Sequence, residues 1–439
     1  MHTKRTVPPN RLPAHIAVEA IRCGRLSSFD LTLSCLERIE AREASVGAWS
    51  YLDRDYALEQ ACRADEHRRA GAVLGPLHGL PIGIKDVFDT FDMPSEYGSP
   101  SLKDRRPAAD ADAVTLLRAA GAVIMGKTVT SEFGMYALSS CRNPHDQNRS
   151  PGVSSAGSAA AVADAMVPLA LGTQHTASTL LPASFCGVFG FKPSFAFTSM
   201  RGSNVLVPRL ATVGLLARNL DDLALFASAL APGFKVSVRP LQPQRFGVVR
   251  GPAWHQVAAD ARAALCVFLR KLPVAIADLE LPVEFDRAVE VTYGLLAAHL
   301  AHRFAPMPEA TQKTYCGPLR AAIATGLALS ATNYLRLEEQ ADRLTAAAHG
   351  LFASCDVLIT LASLGEASLI SDGPGSGELT MPWSLAGLPT LSLPLLKGDR
   401  GLPIGVQLVG APGDDQRLLS IAAWLNIVCQ KTLETAQSS

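Results

Sequence analysis

Three short stretches of this sequence carry side chains that could act together on a carbonyl compound. Lys85 lies inside an apolar, glycine-punctuated run, PIGIKDV, at 81–87. An ammonium inside such a run is costly to bury, so it either sheds its proton or finds a partner; Asp86 and Asp89 are the nearest carboxylates for an ion pair. The second stretch is GVSSAGS at 152–158, with Ser154, Ser155 and Ser158 among small residues. It reads as a flexible loop or helix cap, or as hydroxyls that the backbone can approach closely. The third is GTQHTAS at 172–178. A serine that follows consecutive backbone N–H groups could be a nucleophile beside its own oxyanion hole.

The elements around these stretches suggest how they could meet. PIGIKDV reads as a buried strand, and ADAVTLLRAAGAVIMGKT at 111–128 as helix, glycine turn and strand. The serine-rich loop runs into an alanine-rich helix at 159–166 and a strand at 167–171, and the strand 188–191 follows the second loop. Alternating strands and helices predict an α/β fold. Helices are expected near 14–23 and 30–39, the latter capped by Asp30, and a closing helix from 414. Residues 235–250 read as a linker ending in a strand, 258–352 as a helix-rich stretch, and 356–360, 387–396 and 402–410 as buried strands.

Composition narrows the function classes. Lys plus Arg and Asp plus Glu both number 40, so no net field draws nucleic acid, and hydrophobic residues make up 48%. The nine dispersed cysteines lack a C-x-x-C and fit reduced thiols in a cytoplasm. Neither a signal-peptide core nor an uninterrupted run of 18 apolar residues is present, so membrane association is not expected. His299 and His302 stand three apart, too few for a metal site. Cys186 reads as a small core residue.

Taken together, the stretches resemble the amidase signature family, whose serine-rich core contains GGSS(G/S)GS and a GTQ or GTD followed by GGS. Flanking text agrees: GPLHGLPIGIKD at 75–86, NPHD at 143–146, PASFCGVFGFKPSF at 182–195 and GLPIGVQLVG at 401–410. The likeness runs from about 14 to 430, densest at 75–220 and 380–425, and GTQ, FCG and KPSF are similar to malonamidase-like members. It implies one large α/β domain over 14–430, a mixed twisted sheet with helices on both faces, flanked by a loose arm at 1–13 and a polar tail at 431–439. It also implies a relay in which Ser178 is the nucleophile, Ser154 the bridging serine entered through a cis peptide, and Lys85 the base. Backbone N–H groups of His175, Thr176, Ala177 and Ser178 would form the oxyanion hole, with Ser155, Gln174 and Leu181 supporting or lining the site. No cofactor or metal is implied.

Four positions depart from the family pattern. Thr176-Ala177 replaces two glycines, and Val153 replaces the glycine before Ser154. Leu181 stands where relatives place a carboxylate-gripping arginine, and Ala211 where they place an aspartate. The expected activity is hydrolysis of a small neutral or apolar amide through an acyl-serine. Two alternatives stand. One is a carbamate, anilide or ester hydrolase using the same residues. The other is an inactive or partner-dependent protein resembling the amidase-type component of tRNA-dependent amidotransferases. The expected partner is a small-molecule amide or carbamate, not nucleic acid, in a cytoplasmic monomer or homodimer. Arg201 or Arg209 could supply the missing cation.

Overall fold

The computed structural model describes residues 7–135 and 137–437. Eleven strands form one sheet: β1 (Trp49–Leu52), β2 (Pro81–Lys85), β3 (Val123–Thr128), β4 (Leu169–Gln174), β5 (Phe189–Lys192), β6 (Thr212–Ala217), β7 (Arg245–Val249), β8 (Ala275–Leu279), β9 (Val357–Leu361), β10 (Thr390–Lys397) and β11 (Pro403–Val409). Their spatial order is β1-β3-β2-β4-β6-β5-β10-β11-β9-β7-β8. The sheet is mixed. β2 runs parallel to β3 and β4, and β7 parallel to β8 and β9, while β4–β6, β6–β5, β5–β10, β10–β11 and β11–β9 are antiparallel.

The interior strands β2, β3, β4, β6 and β9 are buried along their whole length. That is why they appear in the sequence as continuous apolar runs rather than alternating ones. Each fully buried Ile or Leu there contributes about 1.5–3 kcal/mol. One apolar core reaches from Ala14 to Leu425. The stretch before β7 is therefore no boundary between two cores; Leu241 N–H bonds to the Ser420 carbonyl of the last helix at 3.0 Å.

Several expectations need correction. The helix Ser28–Val46 is capped by Ser27, whose hydroxyl accepts from Asp30 N–H at 2.9 Å. Asp30 thus sits three residues inside, where its carboxylate accepts from the Ser27 hydroxyl at 2.6 Å. A single cap of this kind is worth ~1 kcal/mol. The expected loose arm is docked from Pro9, because Asn10 is buried and donates to Ala165 O at 2.9 Å; residues 1–6 lie outside the described residues. The last helix continues to Gln437, through most of the expected tail. The helix-rich region includes the edge strand β8 as well as the helices Ala259–Arg270, Ala288–Phe304, Gly317–Leu327 and Ala331–Gly350. Among the described residues, no helix is long and apolar enough to cross a membrane.

Candidate active site

β3, β2 and β4 are adjacent and parallel, so their carboxyl ends share one edge. Side chains at that edge of an open α/β sheet are placed to meet a ligand. The residues there are Thr128, Lys85 and Gln174, each the last of its strand. The helix Ala156–Ala163 follows the serine-rich loop and packs against β2 and β4. Two glycines permit the approach, one in that loop and one in the first turn of the helix. Gly152 has φ +108°, outside the comfortable range of residues with a Cβ. A Cβ at Gly157 would fall 2.5 Å from Ala48 O and Val129 N, so only glycine lets the helix rest on the backbone leaving β3.

This arrangement brings Lys85 and Ser154 together. Lys85 Nζ donates to Ser154 Oγ and to Thr173 Oγ1, both at 2.7 Å. The ion-pair alternatives for Lys85 are not realised. Asp86 pairs with Lys127 at 3.0 Å, and Asp89 with Arg105 at 2.7 Å. Lys85 is fully buried and has no carboxylate within 4.0 Å among the described residues. Burial therefore pushes its amine well below the usual lysine range. Thr173, the second partner of Lys85, was not singled out in the sequence; the signal was its place two residues after Leu171 in a strand whose register faces β2.

The other expected residues divide by role. Ser155 Oγ bonds the β4 backbone, donating to Thr173 O at 3.2 Å and accepting from Thr173 N–H at 3.3 Å. Gln174 braces the following loop: its Oε1 accepts from Thr179 N–H (2.9 Å) and Leu180 N–H (3.1 Å). Leu181 is wholly buried, and packs with Val153, Ala177, Phe185 and Ala367 in a small apolar cluster. It therefore supports the site from behind. That cluster also joins the residue before Ser154 to the residue before Ser178.

Ser178 lies 6% exposed, and its hydroxyl forms no hydrogen bond among the described residues. The expected Ser154–Ser178 hydrogen bond is thus not formed among the described residues. The Val153–Ser154 peptide is trans, which corrects the expected cis bond. A cis bond between non-proline residues costs ~3–4 kcal/mol, and the branched Val153 adds crowding. Among the described residues, the backbone N–H groups of His175, Ala177 and Ser178 donate to no acceptor, leaving them available to an oxyanion.

His175 cannot serve as a base here. Its Nε2 accepts from Leu206 N–H at 3.1 Å, which puts the ring proton on Nδ1. Burial, with Lys85 and Arg303 nearby, lowers it to about 3. Cys186 is buried and burial raises its thiol well above the usual range, as suits a small core residue. His302 is exposed and His299 approaches Tyr334 Oη at 3.5 Å. No group of three or more metal-ligating side chains occurs among the described residues. Neither suggested cation is free to replace the family's arginine: Arg201 is held by Asp112 at 2.7 Å, and Arg209 by Glu338 and Asp342. Arg303, not considered from the sequence, is the cation beside His175; it donates to Val205 O at 3.0 Å.

A cleft of about 550 Å³ opens beside the loops, lined by Met135, Tyr293, Leu296, Ala297, Asp372 and Glu378 among others. Two of its lining residues adjoin the loops, although Lys85, Ser154 and Ser178 do not line it themselves. Met135 follows Gly134, where a Cβ would stand 3.6 Å from Ser154 Oγ, and lining residue Gly377 packs directly on Ala177.

A buried amine on a serine hydroxyl, beside a loop of unclaimed N–H groups, is the pattern of a serine hydrolase built on the carboxyl edge of an α/β sheet. Comparison with known proteins agrees: the Amidase family model matches residues 30–419, and the chain belongs to the amidase signature family. It is 33% identical to the A component of the glutamyl-tRNA(Gln) amidotransferase of Chloroflexus aggregans, over 93% of this chain and 95% of that protein. It is 32% identical to the AtzE component of the 1-carboxybiuret hydrolase of Pseudomonas sp. (strain ADP), over 92% and 95%. Among solved structures, the peptide amidase of Stenotrophomonas maltophilia superposes with a TM-score of 0.84 at 28% identity, covering 96% of this chain and 98% of that one.

Proposed function

We propose that this protein hydrolyses the C–N bond of a small, neutral or apolar amide through an acyl-serine intermediate. The observation that carries the reading is Lys85: a fully buried amine, without a carboxylate partner among the described residues, whose contacts are the hydroxyls of Ser154 and Thr173. A neutral amine takes the proton of Ser154, and Ser154 takes that of Ser178 as the latter attacks the carbonyl. The oxyanion settles on the N–H groups of the 175–178 loop, each such donor being worth ~3–4 kcal/mol of barrier. The proton returns through Ser154 to the leaving amine, and water then releases the acyl group by the same path.

The substrate class follows from the walls. The cleft is mostly apolar, and the charged groups lining it are the carboxylates Asp372 and Glu378. A carboxylate entering there would be desolvated beside like charge. Carbamates, anilides and esters present the same carbonyl to the same groups and are alternative substrates.

A partner-dependent role is the second reading. It is favoured by the near full-length likeness to a component of an amidotransferase. Incubating the isolated chain with a fluorophosphonate probe and a panel of amides, carbamates and esters separates the two. Labelling at Ser178, with turnover abolished in Ser178→Ala, supports the free-standing hydrolase. A folded chain that neither labels nor turns over contradicts it and favours dependence on a partner.

A further inference from the structure

The carbonyl of Thr176, in the middle of the 175–178 loop, is held from a distant part of the chain. Ser384 Oγ lies 2.7 Å from it and Thr380 Oγ1 2.9 Å. Ser384 sits in the helix Met381–Leu385, and Thr380 immediately precedes it. Each hydroxyl has one proton and two nearby carbonyls. Thr380 Oγ1 also approaches Gly377 O at 3.0 Å, and Gly377 O accepts from Thr380 N–H at 2.9 Å. Ser384 Oγ is farther from Thr380 O, at 3.3 Å, and it accepts from Gln174 Nε2 at 2.9 Å, which turns its own proton toward Thr176. The Ser384 proton thus serves Thr176 O, and the Thr380 proton lies within reach of both Thr176 O and Gly377 O, so the two hydroxyls hold Thr176 O at its two lone-pair positions. All three side chains are buried.

The consequence lies on the other side of the peptide. A trans peptide is planar, with C=O and N–H pointing in opposite directions. Fixing Thr176 O toward Ser384 and Thr380 therefore fixes Ala177 N–H away from them, and that N–H has no acceptor among the described residues. Hydrogen bonds to the carbonyl also polarise the peptide and strengthen its N–H as a donor.

We propose that Ser384 and Thr380 are positioning residues that aim the Ala177 N–H at the oxyanion formed on attack by Ser178. The proposal rests on the reading of Ser178 as nucleophile. Where glycines are replaced by Thr176 and Ala177, the loop gains side chains but keeps its donor direction through this double anchor.

Ser384→Ala and the near-isosteric Thr380→Val should each lower kcat by about 10–100-fold with KM within about twofold, a fraction of what losing one oxyanion donor costs. Fluorophosphonate labelling of Ser178, and affinity for a boronic acid that mimics the tetrahedral intermediate, should fall in step with kcat/KM. Thr380→Ser, which keeps the hydroxyl, should retain near wild-type values. The pH profile should be unmoved, since the Lys85 relay is untouched. A folded Thr380→Val or Ser384→Ala protein with wild-type kcat and boronate affinity overturns the proposal, as does equal weakening of substrate and boronate. Should Ser384→Ala not fold, Thr380→Val decides alone. Absence of Ser178 labelling in the wild type would instead overturn the nucleophile assignment beneath it.

Discussion

At the scale of single residues, the site depends on which groups are denied a charge. Lys85 is flanked in sequence by Asp86 and near Asp89, yet both carboxylates are taken by Lys127 and Arg105. The competition that makes Lys85 interesting is therefore decided by two cations that sequence spacing does not single out. His175 is the companion case. Its folded-state value, about 3, lies below the ordinary ~6.5 of the unfolded chain. Between those values the unfolded chain binds a proton that the folded chain refuses, so His175 costs stability progressively as pH falls from ~6.5 toward 3 and nothing above that window. His175→Gln keeps an acceptor for Leu206 N–H but cannot titrate. Urea unfolding from pH 7 to pH 4 should show a shallower loss of stability in the variant. Identical slopes would mean that His175 takes up its proton equally in both states.

At the scale of elements, β2 and β3 are joined behind the site by a buried ion pair. Lys127 of β3 meets Asp86 just beyond β2, and also donates to Ser95 Oγ at 2.6 Å and Phe88 O at 2.9 Å. Burial pushes Asp86 up and Lys127 down, and each partly restores the other. Removing one partner strands the other charge, so Lys127→Ala should cost about 3–5 kcal/mol in denaturant unfolding. A loss below ~1 kcal/mol would show that water replaces the ammonium.

Much of this architecture is legible in the sequence where burial is complete. β2, β3, β7, β10 and β11 announce themselves as apolar runs with glycine or proline at an end, and β9 as an apolar run alone. β1 and β8 do not, because they lie at the two edges of the sheet and are partly exposed, so their pattern is weak. Lys85, Ser154 and Gln174 are legible from motif and spacing. Thr173, Ser384, Thr380 and Arg303 are not, since their importance comes from contacts across up to 210 positions of sequence.

At the scale of the whole molecule, the cleft is lined by the helices Ala288–Phe304 and Gly317–Leu327 and by the segment 372–378. Neutral amides should be turned over ~10-fold or more faster than their carboxylate counterparts, equivalent to ~1.4 kcal/mol of differential transition-state binding. Competing the two at equal concentration tests this. Faster turnover of the acid, lost on Arg303→Ala, would reassign Arg303 as the anion's partner.

The central claim is that Lys85 is the base. Its amine is depressed, so below its folded-state value the enzyme carries an ammonium that cannot accept a proton, and activity rises with pH as that proton leaves. The most direct measurement is kcat/KM across pH for the wild type and Lys85→Ala. The account predicts a wild-type rise completed well below the usual lysine range. In Lys85→Ala the largest loss should fall near neutrality, with partial recovery at alkaline pH as hydroxide substitutes for the base. A Lys85→Ala protein with the wild-type pH profile would contradict it.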